Sequence, residues 1–458
     1  MTSDKQQLER TITLWPLVLF GIAYITPFIV LTTFGVFSEA SNGTLATAYA
    51  VTTIAMIFTA LSYGKLAGLY PAAGSAYTYA RRAIDSRVGF MVGWAVLLDY
   101  FFLPMVVWLF GTVYLTEQFP AVPGWMFLLG FIILTTALNV IGMRVATRIN
   151  LALIAFQVLV LLFFVIFSLD TVIGDSGVGA VLSPEPFWNS TSTISAVSAG
   201  AALTAYSFIG FDAVSTFAEE TKNPRKTVPR AIVLTAVIAG IIFVLVAYVI
   251  QLVHPGGQFQ NAGSAPLQIA EQIGGDFFGA VFLSTVIVAQ FTAGIPIQAA
   301  GARLMYAMGR DNALPRRIFA KVHSRFHTPI YNLLLTGGIG LLALVLSVTT
   351  STSFINFGAF TAFAFVNISV IAQYFRDRAT KPRNPLTWVV APLIGLGFVG
   401  WLITHLDSNA LTLGFIWLAV GFCWLLFLTR GFRVPPPAVD LDDSPGRDED
   451  APQANPAH

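Results

Sequence analysis

All 25 lysines and arginines of this 458-residue chain fall at or beside alternate gaps between long apolar runs. A run of roughly 20 apolar residues is the length of a membrane-crossing helix. Twelve such runs can be drawn, at 13–37, 45–69, 88–116, 124–142, 147–169, 193–218, 229–253, 276–308, 329–349, 353–375, 386–406 and 409–430. One set of gaps and flanks then collects Lys5, Arg10, Lys65, Arg81, Arg82, Arg87, Arg144, Arg148, Lys222, Arg225, Lys226 and Arg230. Arg303, Arg310, Arg316, Arg317, Lys321, Arg325, Arg376, Arg378, Lys381, Arg383, Arg430, Arg433 and Arg447 complete it. The other set carries acids instead, among them Glu39, Glu117, Asp170, Asp175, Glu185 and Glu271. Positive charge stays on the cytoplasmic side of a membrane, so this pattern predicts both termini inside. Dropping one run would scramble the separation. The expected fold class is an all-α integral membrane protein with twelve transmembrane helices.

Composition agrees, with 56% hydrophobic and 10% charged residues, too few charges to coat a soluble protein of this length. The first apolar run continues past Pro27 to Phe37 with no small-residue cleavage site before it, and reads as an uncleaved span from a cytoplasmic segment 1–12. The single cysteine, Cys423, allows no intramolecular disulfide. Residues 431–458 are rich in Pro, Asp and Glu and read as a disordered cytoplasmic tail. The histidines are scattered, His254 and His405 at outer ends of spans, His323 and His327 in a loop and His458 terminal. No metal-ligand spacing and no phosphate-cradling loop appears. The chain does not read as an enzyme, and no cofactor, metal or nucleic-acid partner is expected; the lipid bilayer is.

The sixth run carries the densest signal. Ile194 to Tyr206 is apolar or small, after which SFIGFDAVSTFAEETK places Gly210 between bulky neighbours and Asp212 at bilayer depth. An ionised Asp in lipid costs about 2.5–3.5 kcal/mol on insertion scales, so it should face a cavity or a partner. Glycine lets the backbone leave helical geometry and free its amides and carbonyls for a ligand. A discontinuous helix lining a substrate site explains Phe208, Ile209, Gly210, Phe211 and Asp212 together; a kink with a structural Asp explains them too. The first run has a similar disturbed centre, Ala23 to Phe28, and each ends in a hydroxyl–Thr–Phe triplet, Thr32-Thr33-Phe34 and Ser215-Thr216-Phe217. Interrupted helices at corresponding places, running in opposite directions, point to an inverted repeat with the site between the halves.

Five stretches resemble the amino acid–polyamine–organocation permeases: FTALSYGKLAGLYPAAGSAYTYARRA (58–83), VGFMVGWAVLLDY (88–100), FIGFDAVSTFAEETKNPRKTVPRAI (208–232), ARLMYAMGRDNALP (302–315) and INFGAFTAFAFVNISV (355–370). The likeness runs from the first span to the tenth and is strongest in look to bacterial putrescine importers. It implies the leucine-transporter fold, with a core at 13–375 made of inverted five-helix repeats (13–170 and 193–375), extra helices within 386–430, and alternating access in a bacterial inner membrane. Carried over, the broken first helix is Ala23, Tyr24, Ile25, Thr26 and Pro27, whose backbone would meet the substrate. That segment is usually richer in glycine in amino acid carriers, and Pro27 lacks an amide hydrogen. Phe208 or Phe211 would be an aromatic lid. Thr32 and Thr33 stand where putrescine importers would be expected to carry an acid. Gln157 stands where some proton-coupled relatives carry a lysine, and a glutamine cannot titrate.

Asp99 and Tyr100 lie midway along the third run, in LLDYFF. A carboxylate there suits an ammonium group and tyrosine adds a hydroxyl and a cation–π face, or both bond structurally to neighbouring helices. With Asp212, Asp99 would make a two-carboxylate site that matches a diamine. Gln290, Thr292, Asn356 and Asn367 are buried polar groups, read first as bonds between helices. Glu219, Glu220 and Lys222 read as an interior gate or as solvated charges. The expected function is proton-coupled import of a small, putrescine-like amine by a secondary active transporter. An amino acid permease or amine exchanger is the alternative. A transporter-like sensor is more remote, because the tail of about 25 residues is too short for a soluble domain.

Overall fold

The computed structural model describes residues 11–71, 75–141, 147–218, 221–310, 314–323, 328–380 and 382–436. Glu219, Glu220 and the segments 1–10 and 437–458 lie outside them. Helices α1 to α5 are Leu14–Ile25, Ile29–Ala40, Leu45–Leu69, Ser75–Ala83 and Ser86–Gln118. Then come α6 (Gly124–Ile141), α7 (Thr147–Ser176), α8 (Ile194–Thr204), α9 (Pro224–Val253) and α10 (Ala265–Arg310). The chain closes with α11 (Arg316–Phe319), α12 (Ile330–Gly340), α13 (Val348–Asp377), α14 (Ala391–Ile403) and α15 (Ser408–Leu428). No strand occurs among the described residues; the one extended pairing is a parallel bridge between Ile12 and Thr221. Among the described residues ten helices are long and apolar enough to cross a membrane, α1 and α2 form a further pair bent by 49°, and Ile330–Leu344 is a shorter apolar helix. Each of the apolar runs expected from the sequence falls on one of these. The protein is a multi-pass membrane protein.

Local chemistry sets several helix starts. Asp85 accepts from the Arg87 amide at 2.7 Å, Thr193 from Ala196 at 3.1 Å, Ser347 from Thr350 at 3.1 Å and Asp407 from Ala410 at 3.1 Å. Each is an N-cap that satisfies an amide the first turn cannot. Inside, α5 is the post on which the bundle is assembled. Glycines bring the neighbouring backbones against it: a Cβ on Gly301 of α10 would stand 2.5 Å from the Tyr100 carbonyl oxygen, and one on Gly358 of α13 2.8 Å from that of Ala95. Small residues at such crossings let helices approach where lipid offers no hydrophobic gain between them.

The polar segments gather at two ends. Arg376 donates to the Arg82 carbonyl at 2.6 Å and to the Tyr70 hydroxyl at 2.9 Å. Arg383 pairs with Asp377 at 2.9 Å and stacks 3.9 Å over the Trp388 ring, and Arg87 donates to the Phe432 carbonyl at 3.0 Å. The basic segments after α3, α13 and α15 thus meet. At the other end Glu117 accepts from Asn261 at 2.7 Å and Gln268 at 3.2 Å, and Tyr248 donates to the Val181 and Ser183 carbonyls, both at 2.8 Å.

Candidate substrate site

Proline makes the first break. A residue preceding proline is driven out of helical geometry, and proline itself has no amide to give. Thr26 adopts a left-handed φ of 55°, α1 stops at Ile25, and the chain resumes as α2 at Ile29. The Thr26 hydroxyl donates to the Ala23 carbonyl at 3.2 Å, which ties off part of the frayed end. Thr32 and Thr33 donate to the Ile29 carbonyl at 3.0 and 2.8 Å, so both hydroxyls are used within α2.

Glycine makes the second. The sixth run leaves α8 at Thr204, tightens into a 3₁₀ turn over Ala205–Phe208, and reverses at Gly210 with φ 106°. It continues as a second 3₁₀ segment, Phe211–Phe217. Side chains from other helices close around the loosened backbone. Thr52 of α3 donates to the Ala201 carbonyl at 2.8 Å and shares a 2.7 Å hydrogen bond with the Thr204 hydroxyl. Asn356 of α13 donates to the carbonyls of Ala202 at 2.8 Å and Leu203 at 3.3 Å. The hydroxyls of Tyr49 and Ser207 share a hydrogen bond of 2.8 Å. The Ala205 amide still serves the Ala201 and Leu203 carbonyls, and this polar sleeve adds side-chain donors around them where the helix ends.

The two breaks touch. The edge of the Tyr24 ring comes up against Gly210, so close that a Cβ there would sit 2.4 Å from the ring carbon Cδ1 and 2.5 Å from Cε1. Tyr24 remains 47% exposed, and Ala23, Thr26, Asp99, Tyr100, Ile209 and Asp212 all keep some accessible surface although they stand midway along their runs. They belong to α1 and its break, to α5 and to the sixth run. Asp99 and Asp212 interact through space with each other, and both act on Tyr24 and Tyr100. The Asp99 oxygen Oδ1 is buried and accepts no hydrogen bond.

Other expected residues lie elsewhere. Ile25 and Pro27 are buried behind the break. Phe208 and Phe211 are fully buried, the first edge-on to Phe243 at 5.0 Å and the second between Tyr63 and Phe363, each at 5.4 Å. In this conformation the exposed ring at the break is Tyr24. Gln157 is buried and donates to the Thr292 hydroxyl at 3.5 Å, with its Oε1 left without a donor. Lys222 has an exposed side chain, while its amide donates to the Ile12 carbonyl at 2.8 Å. Asn367 bonds to Ser62, Thr59 and the Phe363 carbonyl, a link between helices as expected. Sequence reasoning missed Tyr49 and Thr52, which look ordinary in an apolar helix until the unwound carbonyls facing them are known.

A family model described as "Amino acid permease" matches residues 12–436. The low-affinity putrescine importer PlaP of Escherichia coli (strain K12) is 39% identical over 443 residues, covering 96% of this chain and 98% of that one. The branched-chain amino acid permease BcaP of Bacillus subtilis (strain 168) is 26% identical over 459 residues, 94% of this chain and 95% of that protein. The cationic amino acid transporter 4 of Homo sapiens is 28% identical over 405 residues, 82% of this chain and 62% of that one.

Proposed function

This chain belongs to the amino acid permease family, and from that premise we propose that it is a secondary active transporter importing a small diamine of the putrescine class. The observation that carries the reading is the half-buried Asp99 carboxylate at mid-span on α5, whose buried oxygen Oδ1 no protein donor meets. A buried acceptor left unmade costs about 1–3 kcal/mol and more when charged, so its retention points to a donor that arrives from outside. An ammonium group brings three donors and the opposite charge. We take these groups to line one hollow, across which Asp212 offers a second carboxylate and Tyr24 and Tyr100 offer ring faces to the cation. The similarity to a putrescine importer across nearly the whole chain supports the same chemistry.

The two halves act as inverted repeats around this hollow, which opens to either side in turn by rearrangement at the breaks. The basic end faces the cytoplasm of a bacterial inner membrane, with both termini inside. Proton coupling runs through Asp99 or Asp212, because glutamine at 157 holds no exchangeable charge. Asp99, Tyr100, Asp212, Tyr24, Gly210 and the backbone of Ala23 to Thr26 contact the substrate. Gln157 ties α7 to α10.

The test is uptake into proteoliposomes of labelled putrescine and, separately, of a panel of amino acids, with and without an inward proton gradient. Gradient-stimulated putrescine uptake that is lost in Asp99→Asn and in Asp212→Asn is expected. Amino acid uptake indifferent to both substitutions would remove the two-carboxylate site and leave the aspartates as structure.

A further inference from the structure

Cations crowd the edge of the molecule where α3 ends and α14 begins. The Lys65 ammonium and the Arg383 guanidinium lean on the same indole, Trp388, at 5.7 and 3.9 Å from its ring centre. The two charges therefore stand no more than about one Debye length apart, ~10 Å at 0.1 M salt, and repel with little screening. Asp377 is the acid that answers them, 2.9 Å from Arg383 and 3.9 Å from a third cation, Arg376. Among the described residues no carboxylate pairs with Lys65, whose ammonium makes one hydrogen bond, to the Thr387 carbonyl. An ammonium has three donors to place. The Arg383 side chain is only 10% exposed, and its Nη1 is shut off from solvent without an acceptor. A desolvated donor left unmade is costly, and more so on a charged group. The cluster thus holds positive charge that the protein itself does not neutralise.

We infer that Lys65, Trp388 and Arg383 bind the headgroup phosphate of one anionic phospholipid. The surface beside the cations favours a lipid over a soluble anion. Here α3 and α14 run side by side, with Phe58 stacked on Phe398 at 6.2 Å and a Cβ on Gly395 falling 3.2 Å from the Cβ of Phe58. On α3 the positions Ile54, Phe58, Leu61 and Lys65 form one accessible stripe at helical spacing, apolar until its last member. Opposite, Leu386 and Val390 of the turn that opens α14, and Leu393 within it, are exposed, and nothing stands within 4 Å of a Cβ on Gly397. Two apolar stripes therefore lead up to an ammonium and a guanidinium. That is the order of chemistry along a phospholipid, acyl chain first and phosphodiester at its end. Trp388 sits at the join, where an amphipathic ring suits the headgroup boundary. The Lys65 donors not spent on Thr387 meet the phosphate oxygens, while Arg383 and Arg376 keep the field behind them positive. Basic pockets between helices at this level are suited to anionic headgroups.

Lipid binding to the full chain in detergent, with no substrate present, tests this apart from the diamine reading. Tritiated dioleoyl phosphatidylglycerol should bind, and unlabelled phosphatidylglycerol should displace it about tenfold more strongly than dioleoyl phosphatidylcholine does. Lys65→Met keeps the apolar stem and removes the charge, and should weaken binding about fivefold, the weight of one cation at an anionic surface. Lys65→Arg should bind like the parent. Lys321→Gln removes the same charge from another basic segment and should change nothing. In the unsubstituted chain, binding should weaken as salt is raised, which reads the charge without any variant. Equal displacement by the two lipids, salt-independent binding, or full binding in Lys65→Met would each overturn the site. An equal loss in Lys321→Gln would show a diffuse attraction instead, and displacement of the lipid by millimolar inorganic phosphate would assign these cations to a soluble anion; either result also overturns it.

Discussion

Gly210 stands where three demands meet. Its φ of 106° lies in a region that side-chain-bearing residues avoid, its missing Cβ admits the Tyr24 ring, and its neighbours in sequence include Asp212. Gly210→Ala therefore incurs backbone strain of about 1–3 kcal/mol together with a clash against a ring that has its own packing to keep. Uptake should fall at least tenfold while the protein still reaches the membrane; near-wild-type uptake would mean that Tyr24 moves away freely. Single residues of this kind were legible in the sequence. Asp99, Tyr100, Gly210 and Asp212 are polar or permissive positions inside apolar runs, and the cost of putting them in lipid already marked them. The ring shared by Lys65 and Arg383 was not, because a lysine near the end of an apolar run announces nothing about an arginine far along the chain.

At the scale of elements, the sixth run persists as a broken span only because its neighbours supply what it lacks. Asn356 is the clearest case, since its amide reaches two carbonyls of α8. Asn356→Asp keeps the size and replaces the donor by an acceptor, so it should lower stability by at least about 1–3 kcal/mol, read as a reduced unfolding midpoint in detergent, and slow uptake. A variant as stable as the parent would show that the sleeve holds by packing alone. Pro27→Ala should act in the opposite sense on stability. With an amide restored and the ring's clash with the preceding turn removed, α1 can run on toward α2, so thermal resistance should rise and transport should drop. The apolar runs were readable because hydrocarbon demands a fixed length and satisfied backbones. Where each break ends was less so, since the tight turns from Ala205 onward depend on donors supplied by α3 and α13, which are distant in sequence.

For the whole molecule, charge segregation is the property with the widest reach. The basic segments meet at one end through Arg87, Arg376 and Arg383, and the acidic ones at the other. In a Cys423→Ser background, a cysteine at Lys222 should react with an impermeant maleimide only from the cytoplasmic side, and one at Glu117 only from outside; the reverse pattern would invert the molecule. The two ends were visible from the first reading, whereas the strap between Ile12 and Thr221 was not, because a single bridge leaves no periodic trace. One last consequence follows from the clamping of α5 by Gly301 and Gly358. Asp99 stands on the clamped helix and Asp212 on the 3₁₀ segment after the Gly210 break, so a pair that closes at that break would work as a caliper. A caliper gauges length when it closes, not when an object is first laid against it. Diamines of graded chain length should therefore compete for binding with similar strength yet be carried at rates that peak sharply at one length.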